Sequence, residues 1–242
     1  MLNSLLIVAS FISIFPVPLC EWNKPNLRYF CLMLPIMGLA FGACWWGAWL
    51  MLEKIIMLSE NFRGFIMTLL TLSLTGGLHM DGLMDTCDAI FSRRDRETRL
   101  KILSDTHAGS FAVMGCVIAL ISKTLLFAEL LSQNVNLFFV PVYSRLGMGV
   151  LLNNLPFAKS GGLAVMLGAS RNSRDNYLFA LMFILTLTFT SKFITTMFIA
   201  SLIIWIRICM KIFGGITGDL LGAFVELSEI FMLMGVVIES CI

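Results

Sequence analysis

Apolar residues fill this chain in long blocks separated by short polar links. Residues 4–15 are apolar and stop at Phe15-Pro16-Val17-Pro18, followed by a polar link through Glu21, Asn23, Lys24 and Arg28. The opening lacks a basic start and a small-residue cleavage site, so it reads as a retained re-entrant or interfacial segment. The first full span predicted is Tyr29–Leu52, long enough at ~1.5 Å per residue to cross ~30 Å of hydrocarbon. Trp45, Trp46 and Trp49 near its far end predict an interfacial aromatic belt. Further spans are predicted at Gly109–Leu131, Leu137–Leu155, Leu178–Met197, Phe198–Phe213 and Gly218–Ile238. Between Phe62 and the pair Gly76-Gly77 the apolar run is too short for a crossing. A helix that breaks at the glycines and resumes beyond them is therefore predicted.

The resumed segment carries Asp81, Asp85 and Asp88. At ~100° per residue these positions share one narrow helical face. No Lys or Arg within the stretch neutralises them. One charge at the centre of a membrane helix costs about 2.5–3.5 kcal/mol on insertion scales, and three like charges add repulsion. Such a stripe calls for a cation, and oxygen donors without a Cys or second His at ligand spacing suit Mg²⁺ or Mn²⁺ over zinc. His79, two positions before Asp81, faces away from the stripe if the helix has already begun; a substrate contact or a structural hydrogen bond is its expected role.

A second stretch repeats the arrangement. Gly214-Gly215 is followed after three residues by Asp219 and seven positions later by Glu226, with Glu229 beyond, just as Gly76-Gly77 leads to Asp81 and Asp88. Two broken helices with matching acid stripes predict a pseudo-repeat whose halves meet at the site. The fold expected is all-α: a polytopic integral membrane protein of six or seven transmembrane helices, residues 1–242 forming a single membrane domain.

Composition agrees. Charged residues make up 13% of the 242, about half the usual share of a soluble domain, ~25%, and mean hydropathy is +0.90. A net charge of +2 argues against nucleic acid as a partner. The seven cysteines are scattered through apolar runs and read as small buried hydrophobes. The polar loop Ser92–Asp105 holds Arg93, Arg94, Arg96, Arg99 and Lys101 and is predicted to be cytoplasmic, with a short surface helix marked by Arg96, Arg99, Leu100 and Leu103. The link Asn153–Asn176, with Lys159, Arg171 and Arg174, is assigned to the same side. Asp105 is read as a cap for the helix starting near Gly109 ahead of a metal ligand. Lys123 and Arg145 lie within apolar spans and require partners, either the acids or a bound phosphate.

At 76–88, 95–109 and 214–229, and in the opening Phe11–Pro18, the chain resembles the cobalamin synthase family of adenosylcobinamide-GDP ribazoletransferases. Lys123 and Arg145 fall where that family tends to have basic residues. Ala89 and His107 depart from its Gly and Arg, and the 153–176 link is shorter than its pattern. The resemblance implies joining of adenosylcobinamide-GDP to α-ribazole or its 5′-phosphate with release of GMP. It also implies Mg²⁺ held by Asp81, Asp85 and Asp88, with Asp219 and Glu226 completing the shell or holding a second ion. Asp85 and Asp88 are the candidates for the base, while His79, Arg93, Arg96, Lys123 and Arg145 are expected to contact substrate. The implied place is the cell (inner) membrane, multi-pass, with the site facing the cytoplasm. The partners are the two substrates and the lipid bilayer, a homo-oligomer being left open. Without the resemblance, the same acids fit a Mg²⁺-dependent alcohol phosphotransferase of lipid synthesis or a cation transporter.

Overall fold

The computed structural model describes all residues except 55–56, 132, 134, 160, 162–165, 169–170 and 242. The chain is an all-α polytopic membrane protein. Its helices are α1 Leu2–Ile12, α2 Lys24–Leu27, α3 Phe30–Lys54, α4 Glu60–Leu74, α5 Leu78–Phe91, α6 Arg96–Ile102, α7 Ser110–Leu130, α8 Val140–Asn154, α9 Asp175–Leu187, α10 Lys192–Ile208 and α11 Gly218–Ser240. A π-helical turn, Cys209–Phe213, prolongs α10. Among the described residues, four helices are long and apolar enough to cross a bilayer: α3, α7, α10 with its π-turn, and α11. The others assigned to spans are shorter; α8 has 15 residues and α9 has 13.

Both glycine pairs break the chain as predicted. Helix α4 ends where Gly77 N–H donates to Leu72 O (3.1 Å), with Gly76 and Gly77 at φ of 60° and 79°. This left-handed backbone is open to glycine at little cost, and it lets α5 restart at once on a new axis. The second break uses Gly214 and Gly215, at φ of 70° and 155°, after the π-turn. There Thr217 caps α11 by accepting from Leu220 N–H at 3.3 Å. The opening segment supports the first break: beyond α1, Ile14 N–H donates to Leu74 O at 3.0 Å.

One boundary and the aromatic belt are corrected. Between the predicted spans Leu178–Met197 and Phe198–Phe213 the chain runs on as helix; the break falls at 188–191, where Ser191 caps α10 by accepting from Ile194 N–H at 3.2 Å. A capping serine ahead of Lys192 outweighs the apolar tally. The aromatic belt also shrinks: Trp46 is 49% exposed, but Trp45 and Trp49 are each 2%. Residues 45 and 49 share one helical face, and that face is turned inward. Trp45 meets Phe127 edge-on at 5.3 Å, and Trp49 Nε1 donates to Glu53 at 3.1 Å.

Close helix contacts rest on glycine. A Cβ at Gly38 of α3 would lie 2.7 Å from Val142 Cα of α8, and one at Gly64 of α4 would lie 2.7 Å from Ala128 N of α7. Tyr143 on α8 stacks on Phe198 at 5.0 Å, and its hydroxyl meets Thr190 at 2.9 Å, tying α8 to the α9–α10 turn. Gly64→Val should therefore destabilise the protein by about 1–3 kcal/mol in a detergent unfolding titration. Gly47→Ala, whose Cβ meets nothing within 4 Å, should be neutral or stabilising by up to ~1 kcal/mol.

Candidate functional site

The two restarted helices, α5 and α11, cross near their N-termini. A Cβ at Gly82 would lie 2.7 Å from Asp219 O, and one at Gly222 would lie 3.2 Å from His79 Cα. A side chain at position 82 would collide with the facing backbone, and one at 222 would crowd it. Beside the crossing is a cavity of about 310 Å³, walled by Leu78, His79, Asp81 and Gly82 of α5 and by the capping Thr217 with Gly218, Asp219 and Leu221 of α11. Asp81 and Asp219 thus face one space, each from the first turn of a helix. Helix N-termini also present unpaired N–H groups and a partial positive charge, a setting suited to anions.

The other predicted acids separate by partner. Asp85, one turn beyond Asp81, is half-buried and within Coulombic reach of Asp81, Asp88, Asp105 and Asp219. Asp88 is engaged: its carboxylate accepts from Gly109 N–H at 2.6 Å and Ala112 N–H at 2.9 Å, capping α7. Asp88, and not Asp105, thus supplies the α7 cap. Asp105 instead accepts from the His107 backbone N–H at 3.1 Å and lies 2.7 Å from its Nδ1. These His107 contacts hold the Asp105 carboxyl below the usual carboxylate range. Asp95 caps α6, and the Thr98 N–H and hydroxyl hold its carboxyl low too. Both devices are therefore intact at neutral pH and fade as the pH falls through the lowered values.

Glu226 and Glu229 lie deeper along α11, among cations. Lys123 Nζ of α7 donates to Glu226 at 2.6 Å and to Glu229 at 2.8 Å, while Arg145 of α8 pairs with Glu229. All four side chains are buried and their formal charges cancel. Lys123 and Arg145 thus find the partners they required, in these glutamates and not in the Asp stripe. Glu226 is committed to Lys123, at a distance from the cavity wall. His79 stands between the two centres. It is 1% exposed, it lines the cavity, and neither ring nitrogen has a hydrogen-bond partner among the described residues. The structural hydrogen bond expected for it is absent there.

The basic loop is divided. Arg93 is exposed in the turn after α5, with φ of 53°. The Arg96 guanidinium lies against Gly214, where a Cβ would come within 2.6 Å of its terminal nitrogens. It braces the second break and, among the described residues, does not form part of the cavity wall. A cation assigned only to topology does: Lys159, opposite Ser104. In the sequence it is only one basic residue of a polar link, with no periodicity to give its direction.

The chemistry of the donor set fits Mg²⁺. Among the described residues no three His, Cys, Asp or Glu side chains converge tightly enough to form a ligand cage. Asp81 and Asp219 nevertheless offer hard oxygen donors across one cavity, and Mg²⁺ is commonly held by one or two carboxylates completed by substrate phosphates and water.

Removing one member of the buried quartet leaves an unpaired charge. Lys123→Ala should cost about 3–5 kcal/mol in an unfolding titration, and Lys123→Met combined with Glu226→Gln should recover much of that loss. Equal stability of the single and double variants would contradict this.

Comparison with known proteins places the chain. Residues 4–237 match the family model described as Cobalamin-5-phosphate synthase. The adenosylcobinamide-GDP ribazoletransferase of Halalkalibacterium halodurans is 32% identical over 247 residues, covering 96% of this chain and 94% of that protein. Those of Clostridium botulinum and Lachnoclostridium phytofermentans are each 29% identical, covering 94% and 99% of this chain and 94% and 95% of their own lengths. No solved structure gives a significant match. A match over nearly the whole length, through both interrupted helices, means that the chain belongs to the cobalamin-5-phosphate synthase family.

Proposed function

We propose that this chain joins adenosylcobinamide-GDP to α-ribazole or its 5′-phosphate, releasing GMP, with Mg²⁺ and from the cytoplasmic side of the inner membrane. The observation that carries this reading is the meeting of Asp81 and Asp219 across one cavity at two helix N-termini. The family membership and the names of the relatives supply the substrates.

In the reaction a ribose hydroxyl forms a bond to the phosphorus attached to the cobinamide's aminopropanol. The bridging P–O bond to the guanylyl group breaks, and GMP departs with that bond's electron pair. Bound Mg²⁺ supplies positive charge to the diphosphate and to the leaving GMP. Asp81 and Asp219 are the residues that would hold it. Asp88, taken up by the α7 cap, and Glu226, bound to Lys123, are less suited than expected. Asp85 has no such commitment among the described contacts and lies near Asp81, so it is the carboxylate proposed to take the ribose proton. The first-turn N–H groups of α5 and α11 orient phosphate oxygens. His79 offers its ring to the substrate inside the cavity, which would supply the partner that the ring lacks. The basic segments 93–101 and 153–176 set the cytoplasmic side.

GMP release by purified protein in lipid nanodiscs tests this. Turnover should require Mg²⁺ and stop with EDTA. Asp81→Ala and Asp219→Ala should each lower kcat at least ~100-fold without loss of fold. Metal-independent turnover, or full activity in either variant, would contradict the assignment.

A further inference from the structure

Residues 155–159 form a strap laid over the second helix break. Ala158 N–H donates to Ile216 O at 2.9 Å, and Ile216 N–H donates to Pro156 O at 2.8 Å, pairing Phe157 with Ile216 as a short parallel bridge. The approach is so close that a Cβ at Gly215 would lie 2.8 Å from Ala158 N. The chain flanking the strap is tied down as well. Asn172 N–H donates to Asn153 Oδ1 at 3.1 Å, Asn153 Nδ2 donates to Asn176 Oδ1 at 2.9 Å, and the Arg171 guanidinium lies 3.8 Å above the Phe157 ring. This framework holds Lys159 in the cavity wall, at the first turn of α11 and within Coulombic reach of Asp219. The Lys159 ammonium donates to the neutral hydroxyl of Ser104 on the α6–α7 link, which also lines the cavity. An ammonium has three donors, and a hydroxyl occupies one.

From this placement we infer that Lys159, with Ser104 beside it, is the protein's own cationic contact for the diphosphate of the nucleotide-linked substrate. The inference rests on the proposed ribazoletransferase activity and adds a binding residue to it. The cavity presents carboxylates at Asp81 and Asp219, and a dianionic group entering between them meets repulsion that a fixed cation offsets. Of the other cations expected at the substrate, Arg93 and Arg96 are exposed and lie outside the cavity wall, and Lys123 and Arg145 are bound to buried glutamates. Lys159 alone among these lines the cavity with a neutral partner, so phosphate can replace Ser104 without breaking an ion pair. A strap fastened by its backbone bridge to Ile216 keeps that charge in place while the substrate arrives.

The test uses the full-length protein in nanodiscs with Lys159→Ala and Lys159→Arg, after confirming unchanged melting temperatures. Lys159→Ala should raise KM for adenosylcobinamide-GDP about 10- to 100-fold and leave KM for α-ribazole 5′-phosphate unchanged, with Lys159→Arg in between. Binding of Mg·GDP, measured separately by calorimetry, should weaken by a similar factor. If the wild type binds Mg·GDP through Lys159 yet turns over no substrate, the ribazoletransferase reading fails and the diphosphate contact stands. A wild-type KM and GDP affinity in Lys159→Ala, an equal rise in both KM values, or no GDP binding by the wild type would overturn the inference.

Discussion

A buried quartet of charges, Lys123, Arg145, Glu226 and Glu229, ties together α7, α8 and α11. Taking ions into a membrane interior is costly unless each is paired and the sum is neutral, and this set meets both conditions. The pairing leaves little freedom: α7, α8 and α11 must present their charges at one level. Helix α5 packs against α11 through Gly82 and Gly222, so the height at which Asp219 meets Asp81 follows from the same arrangement. The quartet is thus a positioning device set apart from the reacting groups, and His79 is the side chain between it and the cavity.

The second constraint is the pair of glycine breaks. An uninterrupted helix satisfies its N–H groups internally, but a restarted one exposes a fresh N-terminus. Placing two such ends on one cavity concentrates unpaired N–H groups where a phosphate-bearing substrate needs them. It also places the first-turn acids Asp81 and Asp219 face to face. Each break is stabilised from outside, the first by the extended segment after α1 and the second by the 155–159 strap. The segments flanking the broken helices therefore belong to the site's architecture.

Much of this was legible in the sequence, because local rules govern it. The glycine pairs, the spacing of the acids and the need of Lys123 and Arg145 for partners follow from helical geometry and the cost of charge in lipid. Long-range contacts were not legible. That Asp88 caps a helix 21 residues away, and that Glu226 takes Lys123 103 residues away, depends on how the helices come together. Trp45 and Trp49, four residues apart, share one helical face, but spacing alone does not tell whether that face meets the membrane interface or the bundle. Lys159 gave no directional signal, since the strap that aims it is held by a backbone bridge to Ile216. Part of the 153–176 link lies outside the described residues.

The central claim is that one divalent-ion site is shared by the two broken helices. Mn²⁺ binding followed by electron paramagnetic resonance, in the presence of GDP, tests it most directly. Asp81→Asn and Asp219→Asn should each weaken binding at least ~10-fold, because each removes a donor from the same ion. Wild-type Mn²⁺ affinity in either variant would contradict a shared site.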